Sequence, residues 1–233
     1  MTASDYCLLR FGADVVAPAG DLARLHATLL PESPVSLLGR RFMEDFYYRI
    51  LPREGLVFGA VAYVDRQPAG FVAATHDRAG FMRSGMRRFW PRVLWVVGAS
   101  ALTAPKSLGA VWQAWRVMRS RPAASAELDG EILSLGVLPA YREPGFVRRS
   151  GLRIATDLLD AAVDRLRELG IQKITAAVRM DNAEAKLFYA GLGWSLQRPS
   201  VPGAGPAALE FRWERNGAAD QEQTPASPLV VEF

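Results

Sequence analysis

This chain has little cysteine and histidine and no long apolar run. Cys7 is the single cysteine among 233 residues, which excludes an intramolecular disulfide and a cysteine-type structural zinc site. The two histidines, His26 and His76, are too far apart to indicate a metal cluster or a Ser-His-Asp arrangement. The longest apolar run, residues 93–105, has about 13 residues, whereas a membrane-spanning helix needs about 20. Residues 1–12 show no secretory signal pattern, so we expect a cytoplasmic protein.

Acidic residues are missing from one long stretch. Between Arg78 and Arg121 there are nine lysines and arginines and no aspartate or glutamate, although the net charge of the whole chain is only +4. The rest of the chain has 19 basic and 24 acidic residues and is therefore acidic. The basic charge is thus confined to one segment, which indicates a local partner.

The same segment, residues 78–122, is rich in tryptophan and is predicted to be a helical insertion. It holds four of the six tryptophans. Its apolar residues recur at helical spacing in two stripes, within residues 89–97 and 108–118, and Pro91 and Pro105 interrupt the run. We expect it to act as a lid over an acceptor, as a homodimer contact, or as a basic amphipathic surface that binds the membrane peripherally. Nucleic acid is the least favoured partner because no groove-reading or base-stacking motif accompanies the charge.

Elsewhere the chain alternates between strand and helix patterns. Apolar segments predict strands at 6–11, 56–64, 69–75, 131–138, 171–178, 194–197 and 207–213. Helical spacing predicts helices at 21–30, 36–51, 152–169 and 182–192, the third of which ends at Gly170. The turn at residues 65–68 predicts a hairpin. The polar residues 216–233 predict a disordered tail.

The connection after strand 131–138 has the chemistry of an anion site. Arg148, Arg149, Ser150 and Gly151 precede a helix, and the free N–H groups at the start of a helix attract anions. Glycine also allows a ligand to approach the backbone closely. The alternative is an ordinary connection with solvated arginines.

A second segment, residues 182–194, combines a helix cap with a phenol. Asn182 is a natural N-cap residue, and Tyr189 falls near the end of the short helix, where it could donate a proton. The alternative is a phenylalanine–tyrosine pair that only packs in the core.

Together and in this order, the two segments resemble the GNAT acyltransferase superfamily. Residues 133–142 are similar to its L-x-V-x-P-x-Y-R strand and loop, and residues 182–194 match N-x-x-A-x-x-F-Y-x-x-L-G-[FW] throughout. The resemblance implies an α/β fold in which helices flank a mixed, mostly antiparallel sheet, splayed between its fourth and fifth strands. We expect one such domain over residues 1–215.

The chain departs from the family pattern at the pyrophosphate loop. The family sequence [RQ]-x-x-G-x-[GA] normally follows Tyr-Arg directly, whereas residues 143–149 intervene here. One register places the motif at residues 148–153 and ends on Arg153. The register that we prefer preserves the helix length, with Ala155 at the last position and Arg153 at the middle glycine.

The resemblance implies acetyl-CoA as the acyl donor, with its pantetheine between strands 131–138 and 171–178. The backbone N–H of Leu135 would polarise the thioester carbonyl, and Val137 would bind the pantetheine amides as an added strand does. The donor-binding residues implied in this way are Leu135, Gly136, Val137, Arg148, Arg149, Ser150, Gly151, Arg153, Ile154, Ala155, Asn182 and Tyr189.

The resemblance also implies a base and an acid. Glu131 begins its strand in the context in which some family members carry a catalytic glutamate, and Tyr189 stands at the position of the proton donor. A surface glutamate at a strand edge is the alternative for Glu131. His76 and Asp77 either line the acceptor cleft or form a solvated turn.

The predicted activity is transfer of an acetyl or other short acyl group from acyl-CoA to a primary amine. An amino sugar, an amino acid or a polyamine would be the small-molecule acceptor. The alternative is a catalytically weak acyl-CoA-binding module associated with the membrane or with a protein partner, because the phosphate loop is irregular.

Overall fold

A seven-stranded sheet organises the chain, whose computed structural model describes residues 5–78, 80–88, 129–197 and 208–214. The strand order is β1-β2-β3-β4-β5-β7-β6, and every neighbouring pair is antiparallel except β4 and β5, which are parallel. The strands are β1 Tyr6–Phe11, β2 Phe58–Val64, β3 Gln67–Thr75, β4 Asp129–Val137, β5 Lys173–Arg179, β6 Ser195–Gln197 and β7 Ala208–Glu214. The predicted fold class, including the predicted hairpin of β2 and β3, is confirmed.

Helices cover both faces of this sheet. Those before β4 are α1 Ala19–Leu29, α2 Pro34–Leu37, α3 Arg40–Phe42, a π-helical turn at Met43–Tyr47, α4 Ile50–Arg53 and α5 Phe81–Arg88. Those after β4 are α6 Pro139–Arg142, α7 Pro144–Ser150, α8 Ile154–Glu168 and α9 Ala183–Gly191. Because helices cover both faces, β2 and β3 are buried almost throughout, as their continuous apolar sequences require.

The core consists of two clusters, one on each face of the sheet. On the first face, Leu158, Leu159 and Leu166 of α8 are at most 1% exposed, and this helix packs on β2, β3 and β4. On the second face, the helices before β2 supply a mixed aliphatic and aromatic cluster that includes Phe46 and Tyr47. We call these the α8 face and the α1 face.

The predicted helix 36–51 is wrong as a single element. Gly39 has φ of 91°, a left-handed conformation that separates α2 from α3. A π-helical turn then follows, in which the Tyr48 N–H donates to the Met43 carbonyl at 2.8 Å. The wider turn rotates the chain, so that Met43, Phe46 and Tyr47 are all buried. Tertiary packing here overrides a regular helical period.

Only the beginning of the predicted insertion lies within the described residues. There, α5 buries Phe81 and Met82 and exposes Arg83, Arg87 and Arg88. The tryptophan-rich remainder and the predicted tail 216–233 lie outside the described residues. No helix within the described part of the chain combines the length and the apolar character that crossing a membrane requires.

Candidate active site

The site begins where the two parallel strands separate. β4 pairs with β5 only from Asp129↔Lys173 to Ile132↔Ala176. Beyond that point β4 continues against β3 as far as Val137, and β5 continues against β7 as far as Arg179. The register of β3 with β4 also shifts between Ala73 and Ala74, and such a bulge bends a strand. The result is a wedge, bounded by residues 133–137 of β4 and 177–179 of β5.

Glu131 lies at the base of this wedge. Its neighbours in register are Thr75 on β3 and Thr175 on β5, one position before β4 and β5 stop pairing. The residue is only 1% exposed, which rules out the alternative of a surface glutamate. Alternation along β4 directs Glu131 toward the α1 face, because Ile132 packs on the α8 face.

Arg78 binds this glutamate from the end of β3. Its Nε lies 3.9 Å from Glu131 Oε2, while its two terminal nitrogens donate to Glu210 of β7 at 3.1 and 2.7 Å. The hydrogen bonds to Glu210, and secondarily the charges of Glu131 and Glu210, raise the pKa of Arg78 against the effect of burial. Sequence reasoning missed Arg78 because it placed this residue in the insertion, and Glu210 is 132 residues away.

Tyr189 lies on the opposite face of the sheet. The residue is 5% exposed. Its ring stacks on that of Phe211, with 5.7 Å between the ring centroids, and meets the ring of Trp194 edge-on, with 5.0 Å between the centroids. Phe211 is paired in register with Ala176, the last residue of β5 that pairs with β4. The ring therefore belongs to the core of the α8 face and also lies beside the base of the wedge. Burial raises the pKa of the Tyr189 phenol above its usual range, which keeps it protonated.

The predicted phosphate loop differs from expectation. Arg148, Arg149 and Ser150 form the last turn of helix α7, which Pro144 begins and which Gly151 ends with φ of 71°. The Ser150 hydroxyl donates to the Phe146 carbonyl at 2.9 Å and accepts from the Leu152 N–H at 3.2 Å. The loop proper therefore consists only of residues 151–153, and it is shorter than the sequence indicated.

The start of α8 provides donors for an anion. The first helical hydrogen bond runs from the Asp157 N–H to the Arg153 carbonyl, so the three preceding N–H groups have no acceptor within the helix. These groups belong to Ile154, Ala155 and Thr156, of which only Thr156 was missed from the sequence. Arg153 is the exposed N-cap residue of α8. The register that places Ala155 at the last motif position stays a prediction.

Three of the remaining predicted donor residues lie on the β4 side of the wedge. Leu135, Gly136 and Val137 are paired with β3 on their other side. A Cβ on Gly136 would lie 3.0 Å from Leu29 Cδ1, so α1 packs directly on this part of β4. The Asn182 side chain accepts from the Ala185 N–H at 3.0 Å and thus caps α9 as predicted. A direct contact of Asn182 with the donor stays a prediction.

Neither histidine lies in a metal site within the described residues, where no group of three candidate ligands occurs. His26 is 1% exposed, and its ring nitrogens contact the Tyr48 hydroxyl at 2.5 Å and the Ser33 hydroxyl at 2.8 Å. Burial lowers the pKa of His26 to about 4, so the ring is neutral at neutral pH. His76 is half-buried immediately after β3.

Comparison with known proteins agrees with this geometry. A curated relative, the mycothiol acetyltransferase of Sanguibacter keddieii, is 30% identical over 113 residues. The match covers 48% of this chain and 33% of the relative, so the chain spans only about a third of that protein's length.

Solved structures show the same fold at low sequence identity. A protein assigned to the GNAT family from Desulfovibrio desulfuricans superposes with a TM-score of 0.53 at 13% identity, over 90% of this chain and 99% of that one. Arabidopsis thaliana NAA60 in complex with acetyl-CoA has a TM-score of 0.52 at 15% identity, over 91% and 100%. The model of the acetyltransferase (GNAT) family matches residues 23–194, which is well over half of the chain. This chain therefore belongs to the GNAT acetyltransferase family.

Proposed function

We propose that this chain transfers an acetyl group from acetyl-CoA to a primary amine of a small molecule. The observation that carries the proposal is the wedge, where a buried carboxylate and a buried phenol lie on opposite faces of the sheet beside the point at which β4 and β5 part. Family membership supports acetyl-CoA as the donor.

The wedge and the start of α8 together suit the donor. The edge of β4 from Leu133 to Val137 has no partner in β5, so the amides of pantetheine can bind there as an added strand would. The N–H groups that begin α8 suit the pyrophosphate, and the exposed Arg153 adds positive charge. A left-handed Gly151 with no atom within 4 Å of its Cβ direction leaves space beside them.

The chemistry requires the nitrogen to lose two protons and the sulfur to gain one. Glu131 removes a proton from the acceptor ammonium, and the freed nitrogen attacks the thioester carbonyl, which the Leu135 N–H polarises. The C–N bond forms and the C–S bond breaks. Tyr189 then gives its proton to the departing sulfur, a role for which a phenol that stays protonated is suited. The attacking nitrogen loses its second proton to the resulting tyrosinate, which restores the phenol. The products are the N-acetyl amine and free coenzyme A.

The acceptor would enter from the α1 face, because Glu131 is directed there. That face is lined by α1, the π-helical turn and α5. Helix α5 begins the insertion, for which an acceptor lid is one of the predicted roles, beside a homodimer contact and a membrane surface. An amino sugar, an amino acid or a polyamine fits the requirement for one primary amine. The name of the curated relative supports acetyl as the acyl group.

Two measurements test this proposal. Isothermal titration with acetyl-CoA should show binding, and thiol release should be seen with members of an amine panel, each product being identified by a mass increase of one acetyl group. Titration with desulfo-coenzyme A, which lacks the reactive sulfur, is the control for donor binding. An absence of coenzyme A binding at millimolar concentration would defeat the proposal.

The alternative is an acyl-CoA-binding module without significant turnover. The observation that favours it is Arg153, a bulky residue at the position where the family has glycine. Donor binding combined with no thiol release over the whole amine panel would support this alternative. Product formation with any amine above the rate without enzyme would exclude it.

A further inference from the structure

Arg78 connects two strands that are not neighbours in the sheet. It follows β3, yet its guanidinium contacts Glu131 on β4 and Glu210 on β7, with β5 between them. The contact with Glu210 is bidentate, at 3.1 and 2.7 Å, which is the strongest arrangement for an arginine and a carboxylate. Its side chain is 29% exposed, against 2% for the side chain of Glu131.

The contacts of Arg78 with Glu131 and Glu210 cross the sheet at the level where the backbone pairing of β4 with β5 ends. Glu210 is in register with Ala177, the first β5 residue beyond the pairing with β4. The strands β1 to β4 form one half of the sheet, and β5 to β7 form the other. Since the chain of Arg78 belongs to the first half and its strongest contact to the second, Arg78 ties the halves together at the base of the wedge.

The same geometry decides how Arg78 acts on Glu131. The distance of 3.9 Å is too long for a hydrogen bond but well within the range of a strong charge interaction in a buried site. A buried carboxylate must be compensated by a positive charge if it is to remain ionised, and a general base must be ionised. Arg78 meets this requirement while its terminal nitrogens are held by Glu210.

We propose that Arg78 is a positioning residue that keeps Glu131 charged and directed into the wedge. This inference rests on the proposed function, because it takes Glu131 as the base. Other ionisable groups near this face are also relevant to the charge of Glu131. They are Asp129 on β4, Lys173 on β5, Glu210 and Arg212 on β7, His76 and Asp77 after β3, and His26, Tyr47 and Tyr48 on the helices.

The test compares variants that separate charge from geometry. Arg78→Gln removes the charge, Arg78→Lys keeps it without the bidentate contact, and Glu210→Gln weakens the anchor. We expect Arg78→Gln to lower kcat roughly 10- to 100-fold, with the KM for acetyl-CoA changed less than about threefold. The acid limb of its kcat/KM profile should move to higher pH by about one unit or more. Arg78→Lys should retain the acid limb, and Glu210→Gln should lose less activity than Arg78→Gln.

Arg10→Gln on β1 is the matched control, because it makes the same change at an exposed arginine whose carboxylate partner, Glu168, also lies 3.9 Å away. Its turnover and pH profile should equal those of the wild type. The inference is overturned if folded Arg78→Gln also keeps the wild-type profile and turnover. Equal defects in Arg78→Gln and Arg78→Lys without movement of the acid limb would likewise overturn it, because they would indicate packing alone.

A thermal unfolding cycle tests the contact without relying on activity. At pH 7 we expect Arg78→Gln to lower Tm by roughly 5–10 °C, because it removes a positive charge 3.9 Å from a buried carboxylate. The Arg78→Gln/Glu131→Gln double variant should lose less than the sum of the two single losses. Strictly additive losses would contradict the inference.

The two proposals fail in different ways. A wild-type chain that acetylates no amine defeats the proposed function. A wild-type chain that is active, combined with an additive cycle and an unchanged pH profile in Arg78→Gln, defeats only the role of Arg78. If Arg78→Gln does not fold, Arg78→Lys and Glu210→Gln carry the same comparison, with the acid limb and the coupling to Glu131→Gln as the readouts.

Discussion

Glu131 and Tyr189 are both buried, on opposite faces of the sheet, but the groups that surround them differ. On the α1 face Glu131 has a guanidinium at 3.9 Å, which compensates its charge. On the α8 face Tyr189 has aromatic rings at 5.0 and 5.7 Å, and burial is the cause that raises its pKa. A base needs a negative charge and an acid needs its proton, so the difference in surroundings matches the two proposed roles. The comparison shows how one wedge can hold both states at the same pH.

The largest effect is expected when the charged side of the wedge loses its base. Glu131→Gln keeps the shape of the side chain but cannot accept the proton, so kcat should fall roughly 100- to 10000-fold. The affinity for acetyl-CoA, measured by isothermal titration, should change less than about threefold, because Glu131 lies on the acceptor side. An unchanged kcat with a good acceptor would assign Glu131 to ion pairing alone.

The next largest loss of turnover is expected when Tyr189 loses its phenol. Tyr189→Phe keeps the ring packing on Phe211 and Trp194 and removes the proton donor. Turnover should fall roughly 10- to 1000-fold, with acetyl-CoA affinity near that of the wild type. Tyr63→Phe, which removes a phenol from β2, is the control and should leave turnover unchanged. Wild-type turnover in Tyr189→Phe would restore the interpretation of this residue as core packing.

A third prediction concerns another buried ionisable group on the α1 face, His26. His26 is buried and neutral there, with a folded pKa of about 4 against 6.5 in the unfolded chain. As the pH falls, the unfolded chain therefore binds a proton at His26 before the folded chain does. The contribution of neutral His26 to the free energy of unfolding is present above pH 6.5 and is lost as the pH falls toward 4. The loss at pH 5 should be about 2 kcal/mol for this group.

Urea unfolding at pH 7 and pH 5 measures this difference. His26→Gln can still contact Tyr48 and Ser33 but does not titrate, so its stability should depend less on pH by about that amount. A pH dependence identical to that of the wild type would show that His26 is not the responsible group.

The smallest effect, a change in the affinity for acetyl-CoA, is expected at Arg153, where the loop differs from the family sequence. Arg153 is exposed at the start of α8, so we expect it to contribute charge to phosphate binding rather than to block it. Arg153→Gly, which restores the family residue, should weaken acetyl-CoA binding roughly 3- to 10-fold. A glycine substitution of another exposed arginine would be a poor control. Arg165 and Arg83 both lie inside helices, α8 and α5, which glycine would destabilise.

Glutamine substitutions give a matched pair of variants, because glutamine does not destabilise a helix as glycine does. Arg153→Gln and Arg165→Gln both remove one charge and keep helix-compatible residues. Only Arg153→Gln should weaken donor binding, and the weakening should decrease as salt concentration rises. Tighter binding in Arg153→Gly would instead show that the arginine obstructs the loop.

Local patterns predicted much of the site. Asn182 and the apolar residues after it specify a capped helix, and this places Tyr189 without reference to distant residues. The strand that begins near Glu131 follows in the same way from its apolar composition. The helix boundary at Ile154 differs from the prediction by two residues, because Gly151 and α7 change where the connection ends.

Residue order along the chain thus determined the GNAT motifs, the strands and the capped helix, since cap, turn and period rules act over a few residues. Tertiary structure alone decided that Arg78 lies between Glu131 and Glu210, because this contact joins three strands that are far apart in sequence. It also decided the π-helical turn, where burying Met43, Phe46 and Tyr47 requires a wider turn than the helical period supplies. Such features depend on which surfaces meet, and that is set by packing of the whole sheet.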